Sequence, residues 1–199
     1  MYDGGRRLGL QPLVSPGASV LVLGSFPSVQ SLEKGEYYGH PRNHFWPLMA
    51  AIAQVAAGGD SGPSAAVPFL ASSAWEERRA LAASLRLSIW DLVESCERRG
   101  SLDADIREAL INDIPGILAS QPSITSIALN GSLAASLFER RFARGSGLVS
   151  APIGKAMGLE LAGRLLLVRR LPSTSPVPTR RFRNAIDKLP FWMEACAPP

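Results

Sequence analysis

The stretch Ala18-Ser19-Val20-Leu21-Val22-Leu23-Gly24 is a short, continuous apolar run that ends at a glycine. Such a run is typical of a strand that is buried on both faces, as in a parallel sheet. Three further runs are similarly apolar, rich in leucine and β-branched residues, and they are 87–90 (LSIW), 124–129 (ITSIAL) and 165–168 (LLLV). The sequence therefore predicts four central strands.

Helical patterns lie between these runs, with apolar residues three or four positions apart. The predicted helices cover 45–57, 75–85, 102–118 with a break near Asn112, 132–142, and 180–193, where Pro190 should kink or split the helix. The alternation of strands and helices predicts an α/β fold, a three-layer α/β/α domain whose sheet is mostly parallel. A chain of 199 residues, 46% of them hydrophobic, fits a single domain over 1–199.

The composition argues against several classes of protein. Cys96 and Cys196 are the only cysteines, too few for a disulfide framework or for a clustered zinc or iron–sulfur site, so we expect no metal. No apolar run reaches the ~18 residues of a membrane span, and positions 1–10 lack the apolar core of a signal peptide. We therefore expect a cytosolic protein with no membrane partner.

Positive charge is concentrated in the last third of the chain. Residues 131–199 contain 11 basic and 4 acidic side chains, although the net charge of the whole chain is only +4. A polyanion such as nucleic acid would favour this distribution, but a solvated basic face is the more common explanation of such charge. Within the predicted last helix, Arg180, Arg181 and Arg183 fall in the first turn, where the helix dipole disfavours cations. They either face an external anion or extend into water.

Two loops follow predicted strands at the edge where parallel sheets bind ligands. The first is Gly24-Ser25-Phe26-Pro27-Ser28, and the second, 171–176, contains Ser173, Thr174 and Ser175 between two prolines. Hydroxyls and main-chain N–H groups in such loops can hold phosphate oxygens, although the same residues also form ordinary turns.

The segment 36–47 (EYYGHPRNHFWP) combines four aromatic residues with both histidines, an arginine and an asparagine. Flat rings can stack on a nucleobase, and amide or imidazole groups can bind its edge. Asn43 is also suited to cap the following helix, and Phe45 and Trp46 could instead anchor the core. The chain has no phosphate-binding P-loop and no dinucleotide fingerprint, and Glu33 and Glu36 are the only carboxylates predicted near the loops.

These motifs resemble those of the uracil-DNA glycosylase superfamily, and the match is closest to its hypoxanthine-DNA glycosylases. The resemblance rests on 23–28 (LGSFPS), 37–47 (YYGHPRNHFWP), 129–131 (LNG), 171–176 (LPSTSP), 89–91 (IWD) and 95–103 (SCERRGSLD). It implies an α/β/α fold around a four-stranded parallel sheet, a flipped base in the cleft, and no cofactor. The implied activity is base excision repair of DNA that contains deaminated bases, by a monomer associated with the bacterial-type nucleoid.

The resemblance also implies roles for individual residues. Asn43 would orient the attacking water and is the candidate catalytic residue. The residues implied to bind the base are Gly24, Ser25, Phe26, Tyr38 as the stacking ring, and Asn130 at the base edge. Those implied to contact DNA are Ser173, Thr174, Ser175, Arg180 and Arg181. Phe26 stands where mismatch-specific uracil glycosylases have a water-holding Asn. In the hypoxanthine branch that the chain resembles, the water-positioning role belongs to the Asn of the second motif, which matches Asn43.

Three alternatives remain open from the sequence. The preferred base is either hypoxanthine, uracil or xanthine, all of which the same chemistry can release. A rival of another class is a catalytically silent α/β module that binds DNA or a nucleotide. Oligonucleotides that contain each base distinguish all of these possibilities.

Overall fold

A computed structural model of the chain describes residues 2–3, 6–58, 74–98, 100 and 106–196. Its strands are β1 (Tyr2–Asp3), β2 (Arg6–Leu8), β3 (Val20–Gly24), β4 (Leu87–Asp91), β5 (Val93–Glu97), β6 (Arg107–Ile111), β7 (Ser126–Asn130), β8 (Ala156–Leu161) and β9 (Arg164–Leu171). Its α-helices are α1 (Val29–Lys34), α2 (Phe45–Ala56), α3 (Trp75–Ser84), α4 (Ile114–Ser120), α5 (Ser132–Phe142) and α6 (Leu189–Cys196).

The central sheet has the strand order β4-β3-β7-β9-β8. Its first four strands pair in parallel and correspond to the four apolar runs of the sequence, so the predicted α/β class is confirmed. The fifth strand, β8, was not predicted and makes the sheet five-stranded, with one antiparallel edge. It joins β9 through a two-residue turn at Ala162 and Gly163, which both have positive φ (52° and 73°), as hairpin turns of this type require.

The side chains of β3 alternate between the two faces of the sheet. Leu21 and Leu23 belong to a buried cluster that includes residues of α4 and α5. Val20 and Val22 belong to a second cluster that includes residues of α2, α3 and α6. Helices therefore cover both faces of the sheet, which is the three-layer arrangement that the sequence predicts.

A second, smaller sheet is antiparallel and has the order β1-β2-β5-β6. It corrects the helix predicted over 102–118, because Arg107–Ile111 is a strand paired with β5 and only Ile114–Ser120 is helical. Positions 102–105 of that prediction lie outside the described residues. Asp113 caps the helix by accepting a hydrogen bond from the Gly116 N–H at 3.0 Å, so the predicted break near Asn112 is a strand-to-helix junction.

The last predicted helix also begins later than expected. Residues 180–184 are not helical; a 3-10 turn covers Ile186–Lys188, and α6 starts at Leu189. Pro190 therefore falls in the first helical turn, where proline fits without breaking a hydrogen bond. Arg180 and Arg181 are exposed in the preceding segment, so the argument from the helix dipole does not apply to them.

Candidate functional site

The carboxyl ends of the parallel strands form the candidate site. Gly24 ends β3, Asp91 ends β4 and Asn130 ends β7. In the sheet, β3 lies between β4 and β7. The chain passes from β3 to β4 on one side, and the later strand β7 lies on the other side, so the direction of the connections reverses here. Ligands bind at such a switch point in open parallel sheets.

The first motif leaves β3 in a tightly packed conformation. Gly24 O accepts a hydrogen bond from Leu92 N at 2.9 Å, and Ser25 O accepts one from Val93 N at 3.0 Å. A Cβ atom added at Gly24 would lie 2.2 Å from Asp91 Oδ1, so a carboxylate oxygen occupies the space that any other residue would need. The glycine is therefore required by the approach of Asp91.

Phe26 is 7% exposed and packs with the first core cluster. The guanidinium carbon of Arg98 lies 4.8 Å from the centroid of its ring, and the same guanidinium donates to the Pro27 carbonyl. Tyr38 packs against the second core cluster, on the other face of the sheet. Phe26 and Tyr38, both implied to bind the base, therefore pack against different core clusters.

Asp91 is the site residue that the sequence reasoning missed. It is 4% exposed and pairs in register with Gly24, while Asn112 Nδ2 donates to its main-chain oxygen at 2.9 Å. The expectation that Glu33 and Glu36 are the only nearby carboxylates is therefore wrong. The signal was available, since Asp91 directly follows a predicted central strand whose end meets that of β3.

Tyr38 lies at the mouth of the sheet with an unusual backbone. Its φ is +54°, a left-handed conformation that is uncommon in residues with a side chain and is found often at functional sites. Its ring stacks on Phe45 with centroids 4.0 Å apart and an interplanar angle of 24°. The hydroxyl is buried and makes no hydrogen bond of good geometry within the described residues. Burial, and then the charge of Asp91, raise the pKa of this phenol by more than the nearby Asn130 amide lowers it, so it stays protonated.

The neighbouring Tyr37 anchors the second motif to the body of the protein. Its hydroxyl lies 3.2 Å from Leu10 O and 3.1 Å from Gln11 O, to which it donates, and its own carbonyl accepts from Trp46 Nε1 at 2.9 Å. Trp46 is 3% exposed in the second core cluster, as its alternative core role predicts. These contacts fix the chain on both sides of Tyr38.

Asn43 follows a turn in which its own N–H donates to His40 O at 2.9 Å. Its side chain is half-buried, and Oδ1 accepts from Phe45 N, the first N–H of α2, at 2.9 Å. The predicted contact with the helix start is therefore present, although His44 is the residue next to the helix. An amide oxygen has two lone pairs, so Asn43 retains acceptor capacity for a water molecule.

Asn130 holds the last loop by its side-chain amide. Its Oδ1 accepts from Thr174 N at 2.9 Å, and its Nδ2 donates to Thr174 Oγ1 at 2.9 Å. At the next residue, Gly131 (φ +95°), an added Cβ would lie 3.0 Å from Ser173 Cβ. The amide has one further N–H and one further lone pair, and it lies near enough to the Tyr38 hydroxyl to lower the pKa of that phenol.

The loop after β9 contacts the second motif directly. His44 N donates to Thr174 O at 2.9 Å, and Ser173 Oγ accepts from Ser175 N at 3.2 Å. Thr174 is 1% exposed, which corrects its expected role, because its hydroxyl binds Asn130 and does not face solvent. Ser173 is exposed and Ser175 is half-buried.

The basic segment beside this loop is open to solvent. Arg180 and Arg181 are both exposed, and the Arg181 guanidinium carbon lies 5.3 Å from the ring centroids of Phe182 and Phe191. Within the ranges that the structure describes, no three His, Cys, Asp or Glu side chains group as metal ligands. In the same ranges, no helix has the length and apolar character needed to cross a membrane.

Comparison with known proteins gives consistent matches. A protein of Methanosarcina acetivorans named hypoxanthine DNA glycosylase is 31% identical over 126 residues, which cover 63% of this chain and 71% of the relative. A protein of Methanosarcina barkeri with the same name is 28% identical over 126 residues, covering 63% and 72%. A solution NMR structure of a Methanosarcina acetivorans protein, provisionally named as a uracil DNA glycosylase, superposes with a TM-score of 0.63 at 26% identity, covering 95% of this chain and 98% of that one.

The family model of the uracil DNA glycosylase superfamily matches residues 11–195, which include every motif described above. With the four parallel strands and the site at their carboxyl ends, this match shows that the chain belongs to the uracil DNA glycosylase superfamily.

Proposed function

We propose that this protein is a monofunctional DNA glycosylase that hydrolyses the N-glycosidic bond of a flipped deaminated base, hypoxanthine in deoxyinosine. The observation that carries the proposal is that the Thr174 loop binds both Asn130 and His44, the residue after Asn43, while Tyr38 stacks on Phe45 at the start of α2. The names of the two Methanosarcina relatives support hypoxanthine as the base.

The reaction passes through an oxocarbenium-like sugar while negative charge collects on the departing base. It requires donors toward that base and one positioned water, and the proposal therefore includes neither a metal nor a cofactor. Asn43 is the proposed water-orienting residue, because its amide oxygen is fixed by Phe45 N and still has a lone pair for water.

Tyr38 is the proposed stacking platform. One face of its ring already lies on Phe45, so a base on the other face would extend a short aromatic stack. Gly24 and Ser25 would border the same pocket, and the remaining N–H and lone pair of Asn130 would bind the edge of the base. Phe26 would support this pocket from the first core cluster, beneath the first motif.

The DNA backbone is the proposed ligand of Ser173, Ser175, Arg180 and Arg181. The exposed hydroxyl of Ser173, the half-buried hydroxyl of Ser175 and the two exposed guanidinium groups suit phosphate oxygens, and they would fix the position of the duplex without reading its sequence. Thr174 would act indirectly, by holding Asn130 in place.

An activity panel tests the proposal. Duplexes that contain a single hypoxanthine, uracil or xanthine are incubated with excess protein, and abasic sites are measured by alkaline cleavage. We expect the fastest release from deoxyinosine. Faster release of uracil would assign the same site to another base, and no release from any duplex would favour a silent DNA-binding module.

A further inference from the structure

A lysine from outside the site motifs reaches into the candidate site. Lys188 closes the 3-10 turn before α6 and is 2% exposed. Its Nζ donates to Ser175 O at 2.8 Å and lies 2.9 Å from His44 Nδ1. One ammonium group therefore contacts the last loop and the residue next to Asn43.

These contacts determine the tautomer of His44. An ammonium group has only donors, so Nδ1 must accept the hydrogen bond from Lys188. Burial, and next the charge of Lys188, lower the pKa of His44, so its ring is neutral near pH 7. In a neutral ring with Nδ1 as acceptor, the proton is on Nε2.

The Nε2 atom is available to a ligand. His44 is partly exposed, and its Nε2 has no hydrogen bond in the part of the chain that the structure describes, nor is it among the fully buried polar atoms without partners. Because His44 N donates to Thr174 O, the ring is carried by a backbone tied to the site loop. The Nε2–H group is thus a donor beside Asn43.

Lys188 is held where its charge is unfavourable. Burial lowers its pKa to about 8, although the charge of Asp187 acts in the opposite direction. The folded structure therefore disfavours the ammonium form relative to water. A stabilising clamp would not require a charge at this position, whereas fixing a histidine tautomer requires a group that can only donate.

We propose that Lys188 is a positioning residue of the site, which fixes His44 as the Nε2–H tautomer so that this N–H donates to a negatively charged oxygen of bound DNA. The inference rests on the proposed function for its kinetic part only. The oxygen belongs either to the departing base or to a phosphate, and the two sources give different kinetic results.

The tautomer is measured directly by nitrogen NMR. The chain contains only two histidines, so ¹⁵N-histidine labelling gives two rings, and His40→Gln assigns them. We expect His44 in the wild type to show an unprotonated Nδ1 and a protonated Nε2, and Lys188→Met to shift this pattern. A protonated Nδ1 in the wild type would overturn the inference, whether or not the protein releases any base.

Kinetics and stability then separate positioning from simple packing. Lys188→Met keeps the apolar stem, and Lys155→Met, at an exposed lysine, is the matched control. We expect Lys188→Met to slow single-turnover release from deoxyinosine on the order of tenfold or more, with a thermal stability at pH 7 no lower than that of wild type. Unchanged DNA affinity with a slower rate identifies the departing base as acceptor, whereas weaker binding of an undamaged duplex identifies a phosphate.

Two results would refute the positioning role. One is a Lys188→Met protein that matches Lys155→Met in both rate and DNA affinity. The other is a slower rate that accompanies a lower thermal stability and recovers at lower temperature, as expected of a structural clamp. If the wild type releases no base, the NMR pattern and the affinity for undamaged duplex still decide the inference.

Discussion

Replacing Gly24 by alanine tests the packing of the site against Asp91. The new methyl carbon would lie 2.2 Å from Asp91 Oδ1, far inside the ~3.5–4.0 Å of ordinary contact between heavy atoms. Asp91 has little room to move, because it is 4% exposed and its main-chain oxygen accepts from Asn112. Overpacking of this kind costs about 1–3 kcal/mol. The reduced entropy of the unfolded alanine chain offsets about 0.4–1 kcal/mol of that cost.

We therefore expect Gly24→Ala to lower the free energy of unfolding by roughly 1–2 kcal/mol in urea titrations. Gly158→Ala is the control, because its new methyl would meet only the side chain of Leu165, which is 68% exposed and can move. Combining Gly24→Ala with Asp91→Ala should remove most of the penalty. A Gly24→Ala protein as stable as wild type, or a penalty that persists without the Asp91 carboxylate, would show that Asp91 does not limit the space at Gly24.

Three further variants have defined outcomes. Tyr38→Phe keeps the stacked ring and removes a buried hydroxyl without a well-formed hydrogen bond, so thermal unfolding should show equal or higher stability, by up to about 1 kcal/mol, with little change in base release. Reversing Arg180 and Arg181 to Glu should weaken binding to any duplex, and in a salt titration the slope of log affinity against log salt should fall by about one for each phosphate that the protein no longer neutralises. Burial lowers the pKa of Lys188 from 10.5 to about 8 in the folded protein, so between these pH values the unfolded chain binds more protons than the folded one. The free energy of unfolding of wild type relative to Lys188→Met should therefore rise with pH through this window, as measured by urea unfolding.

The parallel core was predictable because its strands are buried on both faces. The run 18–24 and the three similar runs contain no charged residues, and buried β-strands are the structure that such apolar runs favour. The helix Ser132–Phe142 has the same bounds in the prediction and in the structure, since its apolar positions repeat at helical spacing. Local pattern and tertiary burial agree in these elements.

The edge elements were not predictable from local pattern. Strand β6 (Arg107–Ile111) has a mixed exposure pattern, and its pairing with β5 overrides a helix-compatible sequence. Strand β8 depends on its turn, where Ala162 has a positive φ, which an alanine in the sequence does not predict. Both strands are stabilised by pairing with a neighbouring strand.

The site was predicted in part. The motifs carried by the resemblance pointed to Asn43, Tyr38 and Asn130 as candidates, and the Thr174 loop binds Asn130 and the residue after Asn43. Asp91 was missed although it directly follows a predicted strand whose end meets that of β3. Lys188 was missed because its contact with His44 depends on the docking of the last helix, which no local spacing encodes.

In the proposed reaction, Asn43 orients the water that attacks the sugar of deoxyinosine. The direct test is the single-turnover rate of hypoxanthine release by Asn43→Ala at saturating protein, with duplex affinity measured in parallel. Asn43→Ala also removes the hydrogen bond to Phe45 N at the start of α2, and the loss of such a contact lowers stability by about 1 kcal/mol. Asp113→Ala removes the equivalent contact at the start of α4 and is therefore the matched control. We predict release by Asn43→Ala that is slower by about a hundredfold or more with duplex binding retained, and a near-normal rate for Asp113→Ala. Release by Asn43→Ala at the rate of Asp113→Ala would contradict the account.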